Sequence, residues 1–315
     1  MKTQIENPAQ YEWGPFLFGD DGARVFDIRY DPVFKAVFTK NTADSRGALS
    51  YLISALIGRT VIVETITANE PASTFMGQKK IRYDIACRSK NGEPINVEMS
   101  FHPIEDELNR LEYFASRLFV GQDIQGIEKS YSNLKGTYQI SILARKLFFP
   151  DKNLTHVFEF YDPQTRVSLD GKIRIITLEL EKTAVFIGKS VEEMTSAERW
   201  AAYFQYLTDE VKREKINEII DREEGIAMAM STLCQVTADE EEYARITSLM
   251  KGELDWRSSM KDARSEGLRE GFTEGINKAS LEIAQKMKAM GDSIEKIHTI
   301  TGLSMETIEQ LSNNS

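Results

Sequence analysis

The sequence predicts an α/β protein, a mixed sheet flanked by helices and followed by an all-helical C-terminal region. Three observations carry that expectation. Up to about residue 180, strand-like stretches of alternating or β-branched residues are interrupted by helical patterns. Their order is helix, strand, strand, strand, helix, strand, which suits a mixed sheet with helices packed against it. From about residue 190, Glu, Lys, Ala, Met and Leu dominate and β-branched runs disappear.

Residues 1–26 are rich in Gly, Pro and aromatics and read as an irregular lead-in. DPVFKAVFTK (31–40) and SRGALSYLISALIG (45–58) place apolar residues at helical spacing, Leu49, Leu52, Ile53 and Leu56 among them, with Gly58 as the stop. VIVETITA (61–68), KKIRYDIACR (79–88) and PINVEMSFH (94–102) read as strands. A helical stretch at 105–122 follows, then strand candidates TYQISILA (137–144), HVFEFYD (156–162) and KIRIITLEL (172–180). The expected organisation is a lead-in over 1–26, a core over 27–185, a helical region over 186–258 and a tail over 259–315.

In that tail Gly267, Gly271 and Gly275 recur every four residues, each preceded by Glu. Each internal helix glycine costs about 1 kcal/mol relative to alanine, so three in register imply either close approach of another helix or a breakable one. DSIEKIHTITGLSMETIEQL (292–311) reads as two short helices joined by Thr301-Gly302-Leu303, with Asp292 and Glu295 spaced as a capping box. It is like the first half of a helix-turn-helix, but its second helix carries Glu306 and Glu309 and no Lys or Arg, which disfavours a DNA groove. Packing against a protein partner or a second copy, giving a homo-oligomer, is the better expectation for these C-terminal helices.

Composition narrows the function classes. Cys87 and Cys234 are the two cysteines, far apart, so neither a disulfide framework nor a zinc site is indicated and a reducing compartment is expected. The three histidines are scattered. No apolar run approaches the ~18 residues of a membrane span, and the N-terminal stretch lacks the apolar segment of a signal peptide, so a cytoplasmic protein without membrane partners is expected. The net charge of −10 looks hostile to a nucleic acid. Residues 181–315 hold 17 Lys+Arg against 26 Asp+Glu, leaving 22 against 23 for residues 1–180, so the acidity lies in the second part.

The chemistry sits in a hairpin. Lys90-Asn91-Gly92 fits a three-residue loop with glycine in the left-handed position. If Ser89 faces Glu93, Asp84 lies opposite Glu98 with Cβ atoms roughly 4.5–5.5 Å apart. Two carboxylates share that space comfortably only with a proton or cation between them. Alternation supports the same register: Ile81, Tyr83, Ile85 and Cys87 join Ile95, Val97, Met99 and Phe101 on a core face. Arg82, Asp84, Arg88, Asn96, Glu98, Ser100 and His102 gather on a polar surface opposite. Hard oxygen ligands there suit magnesium, which lowers the pKa of bound water and offsets charge at a scissile phosphate. The bland alternative is a solvated face on which two acids meet by chance.

The runs DPVFKAVF (31–38), GQKKIRYDIA (77–86) and INVEMS (95–100), and the R-x-x-Y-F from Arg110 to Phe114, resemble the recombination-promoting nuclease and transposase family of the PD-(D/E)XK superfamily. The resemblance continues through Trp200, the glycine-repeat helix and residues 294–311. It implies a restriction-endonuclease-like core in which Asp84 and Glu98 bind Mg²⁺ or Mn²⁺, with the Met99 carbonyl as a further ligand. Asp31, in a D-x-x-F-K pattern with Phe34 and Lys35, either brings a third acid toward the metal or serves as a helix N-cap. In the superfamily the third motif ends in a lysine that orients the attacking water; relatives in this branch commonly have glutamine, and this chain has Ser100. Lys79, Lys80 or Lys35 is then the expected substitute cation, with Arg82 across from Ser100.

Arg110 and Arg117, with Tyr113, are candidates for a phosphate path, or ordinary helix-surface charges and core aromatics. His102 is a weaker candidate, since a histidine at a strand end is commonly packing. Two functions follow. One is a metal-dependent DNA endonuclease acting in recombination or mobile-element processing. The other is a nuclease-fold protein weakened by Ser100 that binds DNA or protein as an assembly module.

Overall fold

Pro32, whose fixed φ suits the first turn of a helix, opens α1 (Asp31–Thr39), which buries Val33, Phe34, Val37 and Phe38. Thr42 caps α2 (Ala43–Ile57) by accepting from the Ser45 N–H, and Gly58 ends it at φ 79°, as its sequence position predicts. These features belong to a computed structural model that describes residues 16–18, 23–67, 81–122, 130–169 and 171–311. Within the stretch expected to be irregular, β1 (Phe16–Phe18) and β2 (Ala23–Val25) form a short antiparallel ladder.

The main sheet is mixed and six-stranded. It comprises β3 (Val63–Ile66), β4 (Ile85–Ser89), β5 (Pro94–Ser100), β6 (Thr137–Leu143), β7 (Thr155–Phe158) and β8 (Ile173–Glu179). Their spatial order is β3-β4-β5-β6-β8-β7. The central strands β5, β6 and β8 run parallel, and β3, β4 and β7 add antiparallel edges. Every residue of β5 and β6 is buried, because both faces are covered. α1 and α2 pack on the face that carries Ile95, Val97 and Met99; α3 (Glu107–Val120) packs on the other.

Two strand expectations change. The strand expected over 79–88 begins only at Ile85, since the Asp84 N–H is taken by the Glu98 carboxylate rather than by a ladder carbonyl. Once the pleat is lost, its alternation fails as well. Ile81 and Tyr83 therefore leave the main core and pack with Ala86 and Phe114. The strand expected over 156–162 ends at Phe158, beyond which Tyr161 keeps an isolated bridge to Ser168.

After β8 the chain is helical: α4 (Ser196–Tyr206), α5 (Arg213–Arg222), α6 (Glu224–Ala238), α7 (Glu240–Ala289), α8 (Ile294–Thr301) and α9 (Met305–Gln310). Thr195 and Glu198 close a capping box at the start of α4. That helix delivers Trp200 and Phe204 to Phe34 and Phe38, so it completes the core over α1. No helix among the described residues is long and apolar enough to cross a membrane.

The chain divides into two compact units, Met1–Met250 and Lys251–Ser315. The second has a small core of Ala284, Ile297 and Ile308. Lys288 Nζ binds the carbonyls of Ile308, Glu309 and Leu311 at 2.8–2.9 Å, capping the end of α9. The expected Asp292–Glu295 capping box is replaced by Ser293, whose hydroxyl accepts from the Lys296 N–H while Asp292 pairs with the Lys296 side chain. Gly302 turns the chain at φ 70° between α8 and α9. A Cβ built on Gly267, Gly271 or Gly275 meets nothing within 4 Å among the described residues, so no helix of the same chain presses on that stripe.

Glycine has opposite meanings in the two units. A Cβ on Gly225 would lie 2.2 Å from Tyr51 Cβ and 3.2 Å from Trp200, where α6 crosses α2. Gly225→Ala should destabilise the chain by about 1–3 kcal/mol in urea titration. Gly271→Ala should stabilise its helix by about 0.5–1 kcal/mol. Equal effects of the two substitutions would refute this packing.

Candidate metal centre

Gly92, at φ 78°, lets the chain reverse tightly enough for Ser89 N to reach Glu93 O at 3.0 Å. That loop sets the register Ile85↔Val97, Ala86↔Asn96, Cys87↔Ile95, as the hairpin sequence predicts. Continued by one residue, it brings Asp84 to Glu98. The two acids interlock through the main chain: the Asp84 N–H donates to Glu98 Oε1 at 3.0 Å and the Met99 N–H donates to Asp84 Oδ2 at 3.1 Å.

The face expected to be a polar surface is buried. Glu98 is 1% exposed and Asn96 is fully enclosed beneath α3. Asn96 Nδ2 bridges Glu98 Oε1 at 2.8 Å and Gln139 Oε1 at 2.9 Å. Arg110 Nη1 approaches Glu98 Oε2 at 3.4 Å. Lys35 Nζ lies 2.9 Å from Asp84 Oδ1 and 2.6 Å from Asp31 Oδ1, linking α1 to the hairpin.

Burial pushes the Asp84 carboxyl up to about 8, with the charges of Glu98 and Asp31 adding to the rise and Lys35 opposing it. Burial also raises Glu98, against the Asn96 amide, Arg110, the Asp84 N–H and Lys35. The Lys35 ammonium is held above its ordinary range, because Asp84 and Asp31 outweigh the effect of its burial. Burial therefore makes a second negative charge on the pair costly, and a proton or a cation relieves it.

Two hard oxygen donors held side by side fit a divalent cation of the magnesium type, which needs only one or two carboxylates and fills its remaining positions with water and other oxygens. Among the described residues no three His, Cys, Asp or Glu side chains converge on a metal position, so a main-chain oxygen is a natural further donor. Met99 is placed for it. The Ser100 carbonyl accepts from Ala144 N on the β6 side, and main-chain groups alternate along a strand, so the Met99 carbonyl points toward β4, where its own N–H meets Asp84.

Asp84, Glu98, Asp31, Lys35 and Met99 thus come together. Asp31 is the first residue of α1, behind Tyr30 at the cap position, and it makes an ion pair instead of a cap. Ser100 is turned to α3, donating to Glu107 Oε1 at 2.6 Å and accepting from Arg110 Nη2 at 3.1 Å. Arg82 lies before the β4 ladder, which begins at Ile85. It lines a cavity of about 620 Å³ with Ile104, Asn109, Arg110, Tyr113 and Phe114. His102 is exposed beside Phe101, and Lys79 and Lys80 lie outside the described residues.

Sequence reading missed Glu107, Gln139, Ser141 and Thr177, all buried on the Glu98 side of the sheet. Glu107 gave no signal, being one acid among several on an amphipathic helix. Gln139 and Ser141 did: they alternate with Tyr138, Ile140 and Ile142 in a strand otherwise apolar enough to be central.

A family model described as PD-(D/E)XK nuclease family transposase matches residues 28–263, about three quarters of the chain. No curated protein and no solved structure matches it.

The raised carboxyls have a consequence for stability. A carboxyl whose folded pKa exceeds its unfolded value contributes most at low pH and loses that contribution as pH rises through the folded value. Without divalent metal, stability in urea should fall between about pH 5 and pH 8, and Asp84→Asn should flatten that slope. An unchanged slope in the variant would show that the pair is not the source.

Proposed function

The chain belongs to the PD-(D/E)XK nuclease family transposases, and from that membership and the buried acid pair we propose that it is a Mg²⁺- or Mn²⁺-dependent endonuclease that hydrolyses phosphodiester bonds of DNA. Nucleases of this superfamily generally use divalent metals. The observation that carries the reading is the interlock of Asp84 with Glu98, two acids held against each other in a buried site where only a proton or cation relieves them.

In this reading Asp84 and Glu98 are the metal-binding carboxylates and the Met99 carbonyl is an additional donor. The cation lowers the pKa of water and screens the phosphate. The rest falls to the chain's own side chains. Asn96 holds Glu98 in place through its amide, so the carboxylate keeps Oε2 directed away from the strand partner. Asp31 orients Lys35, whose ammonium faces Asp84 and provides positive charge at the entrance to the pair. Arg82 and Arg110 line the adjoining cavity and present cations to a DNA backbone, while Tyr113 offers a ring for a base. Recombination or mobile-element processing is the role that family membership favours.

The serine at position 100 favours a second reading, in which the fold binds DNA or protein without cutting. Supercoiled plasmid separates the two. Nicking with Mg²⁺ or Mn²⁺ that EDTA abolishes, and a loss of about 100-fold or more in Asp84→Ala and Glu98→Gln, is expected. Full activity in either variant would remove the assigned acids. A wild type that binds DNA and leaves it intact with every metal would establish the second reading.

A further inference from the structure

Ser100 presents a chemical gap, and α3 fills it. The hydroxyl at position 100 is too short to reach a phosphate, yet it is not idle: it is 7% exposed, donates to Glu107 Oε1 at 2.6 Å and accepts from Arg110 Nη2 at 3.1 Å. The same Glu107 oxygen receives Arg110 Nη2 at 2.7 Å. From that anchored end the guanidinium extends to Glu98, its Nη1 lying 3.4 Å from Oε2. A fixed positive charge thus spans the interval between Glu98 and the residue two positions further along β5.

Arg110 also has donor capacity to spare. Its Nη1 makes only a long contact, 3.4 Å from Glu98 Oε2, and about a third of the side chain stays exposed. A guanidinium anchored through Nη2 and only loosely held at Nη1, beside an acid pair and at the wall of a cavity of about 620 Å³, is suited to a phosphate oxygen. Lys35 does not compete for this role, since Asp31 and Asp84 both hold its ammonium.

We propose that Arg110, delivered from α3 and held by Glu107 and Ser100, supplies the active-site cation that position 100 lacks. This rests on the endonuclease reading above. In the step, water oxygen bonds to phosphorus, one phosphorus–oxygen ester bond breaks, the water proton passes to solvent and the leaving oxygen takes up a proton. Arg110 donates hydrogen bonds to the phosphate oxygens throughout and transfers no proton, because a guanidinium stays protonated in a protein. Glu107 is a positioning residue, acting through the guanidinium.

The experiment compares full-length wild type, Arg110→Ala, Arg110→Lys, Ser100→Lys and the double variant Arg110→Ala/Ser100→Lys. Three readouts are taken: Mg²⁺-dependent plasmid nicking, Ca²⁺-supported binding of a labelled oligonucleotide, and thermal unfolding. Arg110→Ala should lower kcat by about 100-fold or more, a loss larger than the accompanying loss of oligonucleotide affinity, at a temperature where the variant's melting curve shows it folded. Millimolar ethylguanidinium should restore part of the lost rate in Arg110→Ala, and lysine at position 100 should restore at least tenfold in the double variant. Ethylguanidinium rescue stands by itself if the buried lysine prevents folding.

Nicking by Arg110→Ala within threefold of wild type, or a loss confined to KM, would overturn the proposal and leave the endonuclease reading intact. So would a fall in rate that ethylguanidinium cannot repair, or one that only tracks a lower melting temperature. A wild type that does not nick DNA would remove both.

Discussion

Two carboxylates buried against each other are the constraint around which this fold is arranged. Each accepts a main-chain N–H from the segment carrying the other, so neither can turn away without leaving that donor unsatisfied in a largely buried site. Like charges at such range oppose folding unless something positive comes near. The chain answers from two directions: Lys35 reaches Asp84 from α1, and Arg110 reaches Glu98 from α3. The helices on the two faces of the sheet are thereby tied to its centre by charge as well as by apolar contact.

The same constraint shapes the hairpin. Asp84 would continue β4 if its N–H joined the ladder, but that group is given to Glu98, and the strand begins one residue later. The residues before it are then free of strand pleat, and Ile81 and Tyr83 turn toward Phe114 on α3. A local irregularity at the acid pair therefore builds the wall of the neighbouring cavity. Site and cleft are products of one departure from regular structure, which is common where function overrides local geometry.

Beyond the pair, the α3 side of the sheet carries a polar band that ordinary core packing would not produce. Asn96 and Gln139 bond to each other, and Ser141 and Thr177 follow on β6 and β8 with hydroxyls that meet no protein partner. Buried polar groups of this kind are normally satisfied by ordered water.

Much of this was legible in the chain itself. Gly92 and the alternation of 94–101 dictated a register, and the register dictated that Asp84 meets Glu98, because side-chain pairing in a hairpin follows from loop length alone. The helices at Asp31, Ala43 and Glu107 and the three central strands followed from residue spacing, and the end of the second helix from Gly58, which are local properties. Burial of the acids was not legible, since polar alternation looks the same whether water or a helix covers it. Only tertiary structure decided that α3 closes over Glu98, that Ser100 and Arg110 are joined through Glu107, and that Lys35 bridges two acids from different elements. Those contacts depend on where non-adjacent segments pack in three dimensions, information that a periodicity read one element at a time does not contain.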